Sequence, residues 1–422
     1  MTNSATETTQ GSTQGRKSRY LVTTDSKANG QPIPKLPSLP RARYVNPEFF
    51  RAEIDSVFRK SWLLLAHACE FENIGSYKLF DMPSLGPIVI VRGKDEKLRA
   101  FLNSCPHRGA TVLSDSEGCG NVMICQYHGW TYNLEGNLIG VTNAEAFPDI
   151  DKKQYRLPAI RCEQWGGFVY VNFDQGAPSL LDWLGSIATT YPQVEEVPDA
   201  PLRLLYQQSW EVACNWKLMM DNFNEGYHIN VVHAPSIKPV FDQTRLSSEL
   251  HANGCVTQYN YYRKRQEQSG DSFDQSSNVL QMPNIEDEKE FDDKHVGLGM
   301  FPNTLLVISK NFFNFIQFLP IGIDRCKIDV SFYVRDWGDG PMPEEWKGSR
   351  DGMMQLVSED TALMPGMQRS IETAPDLHIP LGGYEIPMLH IHATIDKMIG
   401  TDNIPSGCRI ADPNFLQQWI TP

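Results

Sequence analysis

A run of residue types that bind metals lies in the middle of the chain, between Asn215 and His233. This segment, NWKLMMDNFNEGYHINVVH, contains a carboxylate, amides and two imidazoles within about one helix length. On a regular helix, Asn222, Glu225 and His228 recur at intervals of three and therefore line one face. His233 would stand about 140° further round that helix. Both imidazoles can face one atom only if the helix bulges or ends near His233.

Pro235 follows the segment and marks a place where a helix is expected to end. Two imidazoles and a carboxylate from another element, with coordination positions left open, are the ligand set of non-haem Fe(II) oxygenases. We therefore interpret His228 and His233 as ligands of a mononuclear metal. The alternative is that both are ordinary polar residues of an amphipathic helix, because a single histidine is weak evidence for a ligand.

A second metal motif lies upstream and favours the first interpretation. Cys105-Pro-His107 is followed, after seventeen residues, by Cys125-Gln-Tyr-His128. Each half supplies one thiolate and one imidazole, which suits a Rieske [2Fe-2S] cluster with two cysteines on one iron and two histidines on the other. The alternative is a structural Cys2His2 zinc site. Zinc modules usually group like ligands together, whereas here each half is mixed, so the pattern favours the cluster.

Together the two motifs resemble the large (alpha) subunit of Rieske non-haem iron ring-hydroxylating oxygenases. The resemblance rests on CPHRGA, CQYHGW and NWKLMMDNFNEGYHINVVH, and it extends from about Arg41 onward. It implies one mononuclear Fe(II) on His228, His233 and a carboxylate. It also implies that a [2Fe-2S] cluster is held by four residues, namely Cys105, His107, Cys125 and His128.

The resemblance places the carboxylate ligand in VSEDTALMPGMQRSIE, where Asp360 stands eight residues before Gln368. We predict Asp360 as the third ligand of the iron. Glu359 and Asp351 are rivals for that role. For any one of these acidic residues, the alternative is a solvated position on a helix surface.

Two further residues are predicted to take part in catalysis, Glu225 and Asn222. The resemblance implies that Glu225 bridges a Rieske histidine of one subunit and His228 of the next, at a position where the family more often has aspartate. Such carboxylates fix the orientation and tautomer of a metal-binding imidazole. Some relatives that act on quaternary amines such as carnitine also have glutamate there, so an N-alkyl substrate is an alternative.

The fold class predicted is α+β. Short alternating strands separated by glycine and aspartate indicate a small antiparallel β domain over residues 61–174, which carries the cluster motif. Residues 41–60 and 175–422 are assigned to a larger catalytic domain, in which the resemblance implies a helix over a curved antiparallel sheet. The polar stretch 1–40 is predicted to be a disordered tail.

Aromatic residues are dense in the stretch FPNTLLVISKNFFNFIQFLP, which is predicted to be one long strand. Its side chains are candidates for an apolar substrate pocket, and core packing explains them equally well. Three histidines of the C-terminal part are predicted to be structural. The aromatic candidates are Phe312, Phe313, Phe315 and Phe318, and the histidines are His378, His390 and His392.

Composition excludes several classes of function. The 422 residues include 51 acidic and 38 basic ones, giving a net charge of -13, so nucleic acid is not expected as a partner. No apolar run reaches the roughly 18 residues that a membrane helix requires. Nine cysteines without a signal peptide indicate a reducing compartment, so we expect a cytoplasmic protein without a membrane partner.

The resemblance implies a terminal oxygenase that hydroxylates an aromatic or polycyclic substrate with O2, by dioxygenation or monooxygenation. The chain has no GxGxxG motif, so electrons are expected from a separate reductase, directly or through a ferredoxin. A homotrimer, or an alpha3beta3 assembly with a small subunit, is the expected oligomer. The alternatives are an N-alkyl or quaternary amine monooxygenase of the same family, a Rieske electron-transfer protein without oxygenase activity, and a zinc hydrolase.

Overall fold

The computed structural model describes residues 21–23, 35–191, 194, 202–263, 294–308, 312–417 and 420–421. Helices and antiparallel sheets are mixed in it, and the predicted α+β class is confirmed. The strands in chain order are β1 (Leu21–Thr23), β2 (Leu39–Pro40), β3 (Leu63–His67), β4 (Ser76–Met82), β5 (Gly86–Arg92), β6 (Leu98–Leu102), β7 (Glu117–Cys119), β8 (Met123–Ile124), β9 (Thr131–Tyr132), β10 (Leu138–Gly140), β11 (Ala159–Trp165), β12 (Phe168–Asn172), β13 (Leu202–Val212), β14 (Ser247–His251), β15 (Val256–Tyr261), β16 (Lys294–Met300), β17 (Thr304–Ile308), β18 (Phe312–Gly322), β19 (Arg325–Arg335), β20 (His378–Ile379) and β21 (Ile420–Thr421). The α-helices are α1 (Pro47–Glu53), α2 (Leu180–Leu184), α3 (Ser186–Thr190), α4 (Trp216–Phe223), α5 (Glu344–Thr361), α6 (Met364–Thr373) and α7 (Ile386–Ile399).

The smaller β unit contains a sheet in the order β3-β12-β11-β6-β5-β4-β7 and a second sheet in the order β10-β9-β8. The two sheets enclose a hydrophobic core of their own, which includes Cys105, Cys125 and Trp130. The loop before β7 and the loop between β8 and β9 carry the two halves of the Cys-His motif. A local core therefore supports both loops.

The larger sheet has the order β1-β14-β15-β16-β17-β18-β19-β13, with β21 beside β14. Its strands pair antiparallel apart from β14 and β21, which are parallel. The prediction of one long strand over residues 301–320 is wrong, because β17 and β18 form two antiparallel strands that pair from Thr304–Gln317 to Ile308–Phe313.

The two faces of this sheet contact different parts of the molecule. Phe313 packs edge-on against Phe168 of β12, with ring centroids 5.5 Å apart, so odd-numbered residues of β18 face the smaller β unit. Phe318 packs against Phe223 of α4 at 5.1 Å, so even-numbered residues face the helices. The sheet therefore lies between the smaller β unit and the helical layer of the same chain.

This alternation separates the four phenylalanines that were candidates for one pocket. Phe313 and Phe315 lie on the face toward the smaller β unit, and Phe312 and Phe318 lie on the helix face. Phe313, Phe315 and Phe318 are also fully buried. They are core residues of two different layers, and a single pocket lined by all four is excluded.

The segment from Arg41 to Phe58 packs against the helical layer. Asn46 caps α1 by accepting a hydrogen bond from Phe49 N at 2.8 Å, and Pro47 occupies the first helical position. The helix continues as one π-helical turn over Ile54–Phe58. Buried Tyr44 donates to Asp221 Oδ2 of α4 at 2.7 Å, which ties this segment to the metal-motif helix.

The predicted disordered tail over residues 1–40 falls largely outside the described residues, since 1–20 and 24–34 are not described. The described parts differ from that prediction. Leu21–Thr23 pairs with β14, and Leu39–Pro40 pairs with β20. Among the described helices, none is long and apolar enough to cross a membrane.

Candidate metal centres

The two Cys-His loops have the same backbone hydrogen bonds. Cys105 N donates to Ala110 O at 2.8 Å, and Gly109 N donates back to Cys105 O at 2.8 Å. In the second loop, Cys125 and Gly129 repeat this pattern at 2.9 and 3.0 Å. Both glycines have positive φ, +74° and +68°, which a residue with a Cβ adopts at a cost. The sequence thus builds two equivalent loops that each end on a glycine.

These loops bring two thiols and two imidazoles together. Both cysteines are only 2% exposed, and the His107 and His128 ring centroids are 4.7 Å apart. His107 stacks on buried Trp130 at 4.7 Å with an angle of 5° between the rings, which fixes its orientation. The donor set of two sulfurs and two nitrogens from paired loops fits a Rieske [2Fe-2S] cluster.

The thiols lie in an apolar setting with few polar partners. Burial raises the pKa of Cys105, as does the neighbouring Cys125 thiol, whereas a hydrogen bond with Tyr132 lowers it. The Tyr132 oxygen is 3.1 Å from Cys105 Sγ. Thiolates in such a setting require positive charge beside them, which a metal supplies. Tyr132 was not identified from the sequence.

The histidines of the second motif do not lie on one regular helix. α4 ends at Phe223, so the prediction that Asn222, Glu225 and His228 share one helical face is wrong. Asn224 and Gly226, both poor helix formers, leave the helical region with φ of -106° and -118°. The helix therefore ends twelve residues before Pro235 (235 − 223) instead of beside it.

Beyond α4 the chain forms a 3-10 turn and loop that aim both imidazoles at one point. His228, His233 and Asp360 each place a ligand atom within 4.8 Å of the other two. Asp360 Oδ1 is 3.1 Å from His233 Nε2 and 3.5 Å from His228 Nε2. The Asp360 and His233 side chains are 1% and 2% exposed, and that of His228 is 16% exposed.

Asp360 Oδ1 also provides a test of metal binding. Among the described residues, no group makes a hydrogen bond of good geometry to this buried oxygen. A buried carboxylate oxygen that faces two imidazole nitrogens without such a bond is costly unless a cation lies between them. The residues present therefore fit a mononuclear metal with two nitrogen ligands and one oxygen ligand.

Each imidazole is held from behind by a carboxylate. Glu225 Oε1 contacts His228 Nδ1, and Glu359 Oε2 accepts from His233 Nδ1 at 2.7 Å. With Nδ1 engaged, each histidine directs Nε2 at Asp360.

Glu359 is itself fixed by two donors. Ser236 Oγ donates to its Oε2 at 2.6 Å, and Gln355 Nε2 donates to its Oε1 at 2.9 Å. These bonds and that from His233 outweigh burial and lower the pKa of Glu359. Burial lowers the pKa of His233, but Asp360 and Glu359 outweigh it and raise the pKa above its ordinary value.

The structure separates the three rival carboxylates. Asp360 points at the two histidines, Glu359 holds His233 from behind, and Asp351 forms an exposed ion pair with Arg350 at 2.9 Å. The orienting role of Glu359 was missed from the sequence. Adjacent helical positions point about 100° apart, so the Glu359-Asp360 pair was a usable signal for one ligand and one support.

Asn222 lies in the last turn of α4. Its Nδ2 is buried, and among the described residues it has no hydrogen-bond partner. The three C-terminal histidines make contacts away from the metal residues. His378 pairs with Ser38, His390 Nε2 lies 2.8 Å from His251 O, and His392 accepts from Arg43 Nε at 2.9 Å.

Comparison with known proteins assigns both regions to families. The Rieske [2Fe-2S] domain profile matches residues 61–156, and the profile "Ring hydroxylating alpha subunit (catalytic domain)" matches residues 200–401. The chain is 35% identical over 233 residues to the carnitine monooxygenase oxygenase subunit of Escherichia coli (strain K12), covering 55% of this chain and 61% of that protein. It is 34% identical over 188 residues to the benzene 1,2-dioxygenase alpha subunit of Pseudomonas putida, covering 44% and 42%.

Solved structures share the fold. A quaternary ammonium Rieske monooxygenase superposes with a TM-score of 0.73 at 24% identity, covering 87% of this chain and 100% of the other. Naphthalene 1,2-dioxygenase from Rhodococcus sp. gives 0.72 at 18% identity, covering 86% and 94%. The curated relatives are thus matched over about three fifths of their length or less, whereas the fold is matched almost throughout.

Proposed function

Because the chain belongs to the family of Rieske non-haem iron oxygenase alpha subunits, we propose that it is the terminal oxygenase component of a multi-component system. It takes electrons from a separate reductase, directly or through a ferredoxin, and uses O2 to hydroxylate a small organic substrate. The observation that carries this proposal is the convergence of His228, His233 and Asp360 in a chain that also pairs two thiols with two imidazoles.

In this proposal Cys105, His107, Cys125 and His128 hold the [2Fe-2S] cluster, and His228, His233 and Asp360 hold one Fe(II). When bound, the cluster supplies single electrons and the Fe(II), with coordination positions open, supplies O2 activation. The protein contributes a fixed ligand geometry. Glu359 and Glu225 hold the Nδ1 atoms, so each ring directs its Nε2 atom at the metal position.

Glu225 has a second role, as a bridge between subunits. Within one chain, the large sheet lies between the smaller β unit and the helical layer. That arrangement favours the cluster loops of a neighbouring chain as the partners of Glu225. Tyr227, two residues after Glu225, is 65% exposed and offers a contact surface for a neighbouring chain. Inter-subunit electron transfer is described for the quaternary ammonium Rieske monooxygenase, which supports the same arrangement here.

The partners that follow are O2, an organic substrate, an electron donor and further copies of the chain, as a homotrimer or an alpha3beta3 assembly. A cytoplasmic location agrees with nine free cysteines in the described residues. The substrate proposed is aromatic or polycyclic, as for the benzene 1,2-dioxygenase alpha subunit named above. An N-alkyl substrate is the second candidate, favoured by Glu225 and by the carnitine monooxygenase relative.

Metal analysis tests the proposal against a Rieske electron-transfer protein and a zinc hydrolase. We expect about three iron atoms and about two acid-labile sulfides per chain. An electron-transfer protein would hold about two iron atoms, and a zinc enzyme would show zinc without visible absorption. Two irons in a fully loaded preparation would contradict the oxygenase proposal. O2-dependent turnover of aromatic acids, sterols and quaternary amines with a surrogate reductase then identifies the substrate class.

A further inference from the structure

The face of the large sheet that contacts the helical layer carries polar side chains and two glycines among its apolar residues. Gln258 pairs with Gly297 in the β15-β16 register and donates to Phe223 O of α4 at 2.8 Å. A Cβ placed on Gly299 would collide with Asn224, the residue that caps α4. Alternation along β16 therefore directs residues 295, 297 and 299 toward the helical layer.

At Gly297 the helical layer does not contact the sheet. A Cβ built there would meet only Leu305 at 3.4 Å and Gln258 at 3.9 Å among the described residues, and both lie on the sheet itself. Gly299, two residues along, is in contrast covered by α4. No described atom of the helical layer lies within 4 Å of that Cβ position, and this space over Gly297 is called the gap below.

Two buried polar groups flank this gap. Val307 pairs with Gly297 on one side and with Asn314 on the other, so Asn314 lies two strands away on the same face. Asn314 is fully buried, and its Oδ1 has no hydrogen-bond partner among the described residues. The Nδ1 atom of His295 is buried and likewise lacks a described partner. Buried polar atoms left unpaired are costly, so they require an explanation.

Both groups face the elements that carry the metal residues. Asn314 Nδ2 lies 3.5 Å from Met353 Sδ, and Met353 stands seven residues, about two helical turns, before Asp360 on α5. The His295 ring lies 5.8 Å from that of Phe241. Phe241 belongs to one apolar cluster with Ile229, the residue after His228.

We propose that Asn314 and His295 form hydrogen bonds to the substrate, and that the substrate therefore carries a neutral oxygen function, a hydroxyl or a carbonyl. The proposal rests on the proposed function, because it requires substrate to lie beside His228, His233 and Asp360. Asn222, on α4, also has a buried Nδ2 that is unpaired among the described residues.

A neutral group fits this site better than an anion does. An amide offers two N–H donors and an acceptor oxygen, and an uncharged imidazole offers one donor and one acceptor, so they can pair with a hydroxyl on either side or donate to a carbonyl. Burial lowers the pKa of His295 to about 4, so its ring is uncharged near pH 7 and gives no cation to a carboxylate. An anionic substrate would also add negative charge near Glu225, Glu359 and Asp360.

Binding of matched probes to the iron-loaded, reduced full-length protein tests the inference. Nitric oxide on Fe(II) gives a paramagnetic signal that a nearby ligand perturbs, so dissociation constants are obtained by titration. The probes form three series, each built on one skeleton. Each series contains one compound without oxygen, one with a hydroxyl group and one with a carboxylate. The series are toluene, benzyl alcohol and benzoate; fluorene, 9-fluorenol and fluorene-9-carboxylate; and propyltrimethylammonium, choline and glycine betaine.

In at least one series, we expect the hydroxyl member to bind roughly tenfold or more tightly than the oxygen-free and carboxylate members. Asn314 and His295 lie two strands apart, so a single hydroxyl contacts one of them, and either Asn314→Leu or His295→Phe should remove most of that preference. Each variant removes a buried polar atom that is unpaired among the described residues, and Asn314→Leu gives up only the sulfur contact of Nδ2, so neither should lower the thermal midpoint.

Thr304→Val is the matched control. Its buried hydroxyl is also unpaired among the described residues, but Thr304 pairs with Gln317, which faces the smaller β unit. This variant should keep the full preference. Equal binding within every series, or a preference that survives both test variants, would overturn the inference. Loss of the nitrosyl signal itself would instead refute the iron site on which the proposed function depends.

Discussion

The cluster loops and the iron-site residues solve the problem of positioning ligands in opposite ways. Each cluster loop holds its cysteine and histidine within four residues, closed by its own backbone hydrogen bonds. In the iron site, His228 and Asp360 are 132 residues apart in sequence (360 − 228), and a carboxylate behind each histidine fixes its ring. The first arrangement is local and partly exposed, whereas the second is largely buried and depends on the packing of the loop after α4 against α5.

Removal of one metal ligand should have the largest effect on turnover. A variant in each region should also show whether the cluster and the mononuclear iron are bound independently. Asp360→Ala leaves two imidazoles facing an empty position, so we expect loss of the third iron and a fall in turnover well beyond the roughly 10–100-fold that outer contacts cost. Its visible cluster spectrum should remain. Cys125→Ser should instead lose the visible cluster spectrum and keep the mononuclear iron. Loss of the cluster in Asp360→Ala, measured by absorption and iron content, would show that the two regions are not independent.

Glu225→Gln tests the proposed contact between the cluster loops of one subunit and the iron site of the next. The amide keeps a hydrogen bond to His228 but loses the charge that a bridge between subunits requires, so turnover should be nearly abolished. Cluster reduction by dithionite and iron content should match those of the wild type. Unchanged turnover at full metal content would exclude the bridging role. Glu225→Asp, which restores the charge with a shorter side chain, should recover part of the rate.

Glu359→Gln should have a smaller effect, confined to the iron site. The substitution weakens the acceptor for His233 Nδ1 and for Ser236, so iron affinity should fall by roughly 10–100-fold. Competition with a chelator measures this directly. Asp351→Asn, on the same helix but in an exposed ion pair, is the matched control and should bind iron normally. An equal loss in both variants would mean that the effect is one of helix charge.

The sequence predicts the cluster loops more completely than the iron site. The cluster loops were predictable because their ligands and glycines are contiguous, and the fold class followed from strand alternation and the family resemblance. The end of α4 at Phe223 was not foreseen, because it depends on Asn224 and Gly226 in a tertiary setting. The adjacent Glu359-Asp360 pair was a local signal for one ligand and one support, but the histidine that Glu359 holds depends on the packing of α5 against the His233 loop.

The smallest predicted effect concerns stability against pH. Burial lowers the pKa of His390 from 6.5 to about 4. As pH falls below 6.5, the unfolded chain binds the proton first, so stability is complete above pH 6.5 and is lost between 6.5 and 4. At pH 5 this amounts to about 2 kcal/mol. Denaturant unfolding at pH 7 and 5 should show that His390→Gln loses less stability than wild type, and an equal loss would contradict the assignment.

The central claim is that the cluster of one chain faces the iron of another. A mixed assembly tests it, made by co-expressing Asp360→Ala chains, which keep only the cluster, with Cys125→Ser chains, which keep only the iron. After reduction and addition of nitric oxide, the cluster's electron spin relaxation reports any nearby nitrosyl iron. We predict faster relaxation in the mixed assembly than in Asp360→Ala assemblies alone. Fast relaxation in the wild type but not in the mixed assembly would place both centres in one chain and contradict the account.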